Sequence, residues 1–165
     1  MTSVDIKNTI DFIKSTNIIG EINSACILSP TTELSYYQDI FKNISILNEH
    51  EWNLDYTIDK HYDIIIAHNI FYMAKTPNLW IDNVMESCNY FLLQDLLKRK
   101  RNNINEFCST DTDNTRYSFT GHKYYDGNTF NLSDIKYKII NGVIYDGEAN
   151  EYDSRPKHFA CLIKR

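Results

Sequence analysis

The pattern of apolar and polar positions changes period several times along this chain, and the sharpest changes fall between Tyr62 and Asp95. Ile64, Ile65, Ile66 and Ala67 form an unbroken apolar run, too uniform for a strand with one wet face and suited to a sheet covered on both sides. A helical period follows. Trp80, Ile81, Val84, Met85 and Cys88 recur at the spacing of one buried face, with Thr76 as N-cap and Pro77 at the first helical position. Tyr90 to Leu93 is a second apolar run. Two buried strands joined by a crossover helix make a right-handed βαβ unit, and ligands of such open sheets lie beyond the carboxyl ends of the strands. That rule singles out His68, Asn69, Gln94 and Asp95.

The remaining pattern predicts an α/β domain built around this unit. Ser3 to Thr16 carries Ile6, Ile10 and Ile13 on one face and Asp5, Lys7, Asn8 and Lys14 on the others, which reads as an amphipathic helix packed on the sheet. Ser24 to Pro30 and Asn43 to Asn48 read as short strands, with a helix from Glu33 to Phe41 between them, capped by Thr31 or Thr32. Asn105 to Phe119 has no periodicity and reads as a long loop, and Phe130 to Ile135 as a short capped helical turn. Tyr137 to Gly147 and His158 to Arg165 alternate, as an antiparallel pair closing the sheet would. Strands centred on Ile27, Ile46, Ile65 and Leu92 should be parallel, with Trp80 between the crossover helix and the sheet.

Composition narrows this picture. The 165 residues, 42% of them hydrophobic, suit one domain spanning 1–165, and no internal repeat or low-complexity linker divides them. A net charge of −5 argues against nucleic-acid binding through overall charge. The local run Lys98 to Arg101 reads either as a solvated helix end or as a surface for an anionic substrate or partner. Cys26, Cys88, Cys108 and Cys161 are far apart and form no C-x-x-C pair, so we read them as reduced thiols of a cytoplasmic protein. No apolar stretch reaches the roughly 18 residues of a membrane helix. Asp111 to Thr115 lacks the glycine and final glutamate of a calcium loop, so no metal is expected.

The stretch YDIIIAHNIFYMAKTPNLWIDNV, Tyr62 to Val84, resembles the fourth-strand to fifth-strand segment of class I S-adenosylmethionine-dependent methyltransferases. Trp52-Asn53-Leu54-Asp55 resembles an element that precedes that strand, and a closing antiparallel pair is also how the family ends. The resemblance implies a Rossmann-like methyltransferase fold, mostly parallel, with a C-terminal antiparallel β-hairpin. Only 36 positions separate Leu28 from Ile64, so the first half is expected to be shortened by one βα unit. The implied cofactor is S-adenosyl-L-methionine, held by Ser29, Pro30, Thr32 and Glu33, by Glu49 at the ribose, and by His68 and Asn69. Glu51 or Asp55 could replace Glu49.

On the same resemblance Tyr72, Gln94, Arg116 and His122 would face the substrate, with His68 and Asp95 as catalytic residues. His68 is the natural base for an oxygen or nitrogen nucleophile, or else a side chain that only hydrogen-bonds the adjacent loop. Gln94 and Asp95 could equally cap a following helix, and Arg116 could brace its loop through Asp111 or Asp113. The family's glycine-rich cofactor loop is missing, because Gly20 is the sole glycine before Gly121. Its loss opens a second function: a catalytically inactive methyltransferase-like module that binds a protein partner or a second copy of itself. His68, Asp95 and the Ser29 to Glu33 loop are expected in one cleft, and His68→Ala is expected to leave stability nearly unchanged.

Overall fold

The computed structural model describes residues 3–28, 36–47, 58, 60–68, 77–96, 118–120, 129–131, 135–149 and 157–165. Its centre is a six-stranded sheet in the order β2-β1-β3-β4-β8-β7. The strands are β1 (Ser24–Leu28), β2 (Asn43–Leu47), β3 (Tyr62–His68), β4 (Cys88–Leu96), β7 (Lys138–Asp146) and β8 (Lys157–Lys164). β1 to β4 pair in parallel, and β8 runs antiparallel to both β4 and β7. The expected mixed sheet is therefore observed, with all four predicted parallel strands and the closing hairpin. Among the described residues β2 forms one edge, as expected of a first half that has lost a βα unit.

Alternation along the strands sorts the core into two layers. Cys26, Ile65, Phe91 and Ile163 are register partners across four strands and face the helix α2 (Pro77–Glu86). Ile27, Ile66, Leu92 and Leu162 make the opposite rank and face the helix α1 (Ser3–Ser15). Covering both faces explains why the strands read as continuous apolar runs. α1 buries Ile6, Phe12 and Ile13, and it ends where Asn17 takes up a left-handed φ of 60°. Trp80 is buried between α2 and the sheet, edge-on to Phe91 at 5.6 Å between ring centroids.

Several local readings change. Asp5, expected off the apolar face of α1, is only 1% exposed and lies on the sheet side of the helix. Within the expected Glu33 to Phe41 helix, Tyr36 to Ile40 form a hydrogen-bonded turn; Phe41 N–H donates to the Tyr37 carbonyl at 3.0 Å, which sets both rings in the α1-side core. Ser118 and Phe119, read as loop, belong to β5 (Ser118–Thr120), which pairs antiparallel with β6 (Thr129–Asn131). Phe130 and Asn131 are accordingly strand, not the start of a helical turn. The predicted caps Thr31, Thr32 and Thr76, the basic run Lys98 to Arg101 and Cys108 lie outside the described residues. Cys26, Cys88 and Cys161 are buried free thiols, and burial pushes Cys88 up to about 12. Among the described residues no helix is long and apolar enough to cross a membrane.

Trp80→Ala would empty a large volume between α2 and β4. The expected loss is about 3–5 kcal/mol in urea unfolding, whereas a loss below about 1 kcal/mol would mean that the indole does not anchor the helix.

Candidate functional site

β3 and β4 each end in polar residues, and the sheet register brings two of them side by side: His68 pairs with Gln94. Both lie two residues beyond core positions of the α1 face, Ile66 and Leu92, so their side chains emerge on that face. Neither is exposed at all. Buried polar groups without partners cost about 1–3 kcal/mol each, so the question is what answers them.

The answer is a set of polar contacts drawn from six segments. The Tyr37 hydroxyl, from the turn after β1, meets His68 Nε2. His68 Nδ1 lies 3.4 Å from Gln94 Oε1, the longest link. Gln94 Nε2 lies 3.1 Å from His158 Nδ1 on β8, whose register partner on β7 is Tyr145. Tyr145 in turn donates to Asp5 Oδ1 on α1 at 3.2 Å. The same carboxylate oxygen is 3.2 Å from His158 Nδ1, a contact that becomes an ion pair when the ring is protonated. A Cβ on Gly147 would stand 2.5 Å from the His158 ring, so any side chain there would force this imidazole to shift.

Desolvation sets the protonation states. Burial holds His68 down to about 4 against an ordinary value of 6.5, with the Gln94 bond and the Asp5 charge opposing it weakly. The ring is neutral near pH 7. Burial lowers His158 as well, again against Asp5, and raises the Tyr37 and Tyr145 phenols far above their usual range, so both keep their protons as donors.

Of the residues the sequence singled out, His68 and Gln94 are therefore in contact, and Asp95 shares their strand end. Alternation along β4 turns Asp95 to the α2 face, level with Phe159 and 3% exposed. His68 and Asp95 thus occupy opposite faces of one sheet edge, not one side of a cleft. Ser29, Pro30, Thr32, Glu33, Glu49, Asn69, Tyr72, Arg116 and His122 lie outside the described residues. Tyr37, Tyr145, His158 and Asp5 were not singled out. The one local signal for them was Asp5 and Thr9 at helical spacing beside Ile6 and Ile13, a polar pair on an otherwise apolar face.

The burial of His68 also corrects the expectation that its removal would leave stability unchanged. Its folded pKa lies below its unfolded one, so the unfolded chain binds the extra proton between about 6.5 and 4. The stabilisation is complete above 6.5 and is lost as pH falls toward 4. From this residue alone we expect a loss of about 2 kcal/mol in urea unfolding between about pH 7.5 and pH 5. In His68→Gln that part of the pH dependence should vanish, and an unchanged dependence would contradict the burial of the neutral ring.

The edge that gathers these residues is the ligand edge of open parallel sheets. No protein-family model matches the sequence, and no curated protein resembles it in sequence. Solved structures resemble it in fold. An S-adenosylmethionine-dependent methyltransferase from Clostridium acetobutylicum superposes with a TM-score of 0.55 at 9% identity, over 93% of this chain and 89% of that one. The N-methyltransferase NodS from Bradyrhizobium japonicum gives 0.55 at 8% identity over 99% of both chains. Coclaurine N-methyltransferase bound to N-methylheliamine and S-adenosylhomocysteine gives 0.60 at 8% identity, over 97% of this chain and 72% of that one. With its parallel half, its antiparallel closing hairpin and a helix layer on each face, this chain has the Rossmann-like fold of class I S-adenosylmethionine-dependent methyltransferases.

Proposed function

We propose that the chain binds S-adenosylmethionine at the carboxyl edge of β1, β3 and β4 and transfers its methyl group to an oxygen or nitrogen nucleophile. The observation that carries this reading is the cluster of fully buried polar side chains, His68 and Gln94 with Asp95 beside them, at that edge of otherwise apolar strands. Each of these groups must be desolvated and answered, and the strand ends that carry them are where ligands of such sheets bind. The bound cofactor would supply an electrophilic methyl group on a sulfonium.

The protein's own contribution is orientation more than proton removal, because methyl transfer needs donor and nucleophile in line. His68 is neutral and engaged at both ring nitrogens, and a pKa near 4 makes it a poor proton store at neutrality. Its role in this reading is to orient groups at the edge. Asp95, on the other face, remains the second proposed catalytic residue. Ser29, Pro30, Thr32, Glu33, Glu49 and Asn69 are proposed for the cofactor, and Tyr72, Gln94, Arg116 and His122 for the substrate.

Calorimetry and thermal unfolding with S-adenosylmethionine and S-adenosylhomocysteine test this. A ligand that binds only the folded chain stabilises it by about 2.7 kcal/mol at a hundredfold excess over Kd. We expect a rise in melting temperature with both compounds. No heat and no shift at millimolar concentration would overturn the reading and leave a methyltransferase-like module without cofactor.

A further inference from the structure

His68 is sealed on all sides, but a second imidazole at the same edge is not. His158 has Leu96 of β4 as its register partner, whereas Gln94 pairs with Ala160, so His158 stands one rank nearer the carboxyl edge of the parallel strands on the same face. Asp5 Oδ1 lies 3.2 Å from its Nδ1. An ionised carboxylate can only accept, so Nδ1 carries the proton of the neutral ring and Nε2 its lone pair. The Gln94 amide, 3.1 Å from the same Nδ1, is satisfied with its oxygen turned toward that proton, because the two ends of an amide are assigned from their partners. The Tyr145 hydroxyl donates to the same Asp5 oxygen at 3.2 Å, and its ring lies 5.8 Å from the imidazole. Asp5, Gln94 and Tyr145 thus face the ring from α1, β4 and β7.

Nε2 is placed differently. Among the described residues no hydrogen bond reaches it. A Cβ on Gly147 would stand 2.6 Å from it, so glycine at that position keeps this side of the nitrogen clear. The His158 side chain is 13% exposed, whereas His68 is fully buried. A histidine held at Nδ1 by a buried carboxylate, with Nε2 unbonded at a ligand edge, has the arrangement of a general base. The carboxylate fixes the tautomer and balances the charge when the ring takes up a proton.

We propose that His158 is the catalytic base of the methyl transfer, with Asp5 as its positioning residue and Nε2 as the atom that takes the nucleophile's proton. The inference rests on the reading of this edge as the site of S-adenosylmethionine-dependent transfer. For a hydroxyl nucleophile the O–H bond breaks and its proton goes to Nε2. The oxygen's electron pair forms the bond to the methyl carbon, and the carbon–sulfur pair stays on sulfur. An amine gives up an N–H proton in the same way. The imidazolium is balanced by Asp5 and, being partly exposed, returns its proton to water. Burial lowers the His158 pKa and Asp5 opposes the shift, so the lone pair is available at pH 7.

The first test is long-range proton–nitrogen NMR on the full chain labelled with 15N-histidine, with His158 assigned from its absence in His158→Gln. Wild type should show a protonated Nδ1 and a bare Nε2. In Asp5→Asn the ring keeps an acceptor but loses the charge, and its titration should move to lower pH. A wild-type Nε2 that carries the proton, or an unmoved titration in Asp5→Asn, would overturn the pairing; the wild-type tautomer decides if that variant does not fold.

Diethyl pyrocarbonate, which acylates accessible unprotonated imidazoles, tests Nε2. His158 should react alongside the exposed His61 while His68 stays intact, and an unreactive His158 would overturn the proposal. S-adenosylhomocysteine at about a tenfold excess over its Kd occupies about nine-tenths of the chains and should slow acylation of His158 roughly tenfold, with His61 unaffected. Bound S-adenosylhomocysteine without protection would put His158 away from the reacting groups and overturn the catalytic role. If calorimetry detects no binding, the cofactor reading fails and takes the methyl-transfer role with it, while the tautomer and the acylation show that the fault lies with the cofactor and not with the Asp5–His158 pair.

Discussion

A sheet without a wet face leaves its polar side chains nothing but one another, and this constraint governs the carboxyl edge of the present chain. β3 and β4 are buried on both faces, so His68 and Gln94 can be accommodated only if each finds a partner inside the protein. The partner of each is fixed by register. Sliding β4 by one residue against β3 would carry Gln94 to the α2 face and bring Asp95, a charged group, into its place. The polar pair therefore specifies strand register more sharply than the interchangeable isoleucines and leucines around it.

The same requirement propagates outward. Gln94 needs a second partner for its amide, and β8 supplies it in His158, whose register partner on β7 is Tyr145. Tyr145 needs an acceptor in turn, and that brings a carboxylate on α1 into the interior. The docking of α1 is thus determined by polar complementarity as well as by Ile6, Phe12 and Ile13. Such a network can hold side chains at a binding edge in one orientation before any ligand arrives, and that preorganisation favours positioning over reorganisation during binding.

On the opposite face the logic is simpler. Trp80, Ile81, Val84 and Met85 meet Cys26, Ile65, Phe91 and Cys161 in a layer dominated by apolar contacts, and shape alone seats α2. The fold therefore joins a face made for stability to a face in which stability and orientation are coupled. The low pKa of His68 belongs to the second, because the burial that rigidifies the ring also keeps it neutral.

The sequence by itself determined the architecture. Continuous apolar runs at Ile64 to Ala67 and Tyr90 to Leu93, a helical period around Trp80 and an alternating C-terminal pair are local signals of burial, and burial on two faces implies the mixed sheet that is observed. It also marked His68, Gln94 and Asp95, because strand ends in such sheets are legible from where apolar runs stop. Tertiary structure alone decided which face each of them occupies, since a one-residue difference in position sends Gln94 and Asp95 to opposite sides. It alone recruited Asp5, Tyr145, His158 and Tyr37. Each of these looks ordinary in its own segment, an acid on an amphipathic helix or a tyrosine on an edge strand. Their significance comes from contacts across as many as 140 positions, and no periodicity within a helix or strand encodes a partner that far away.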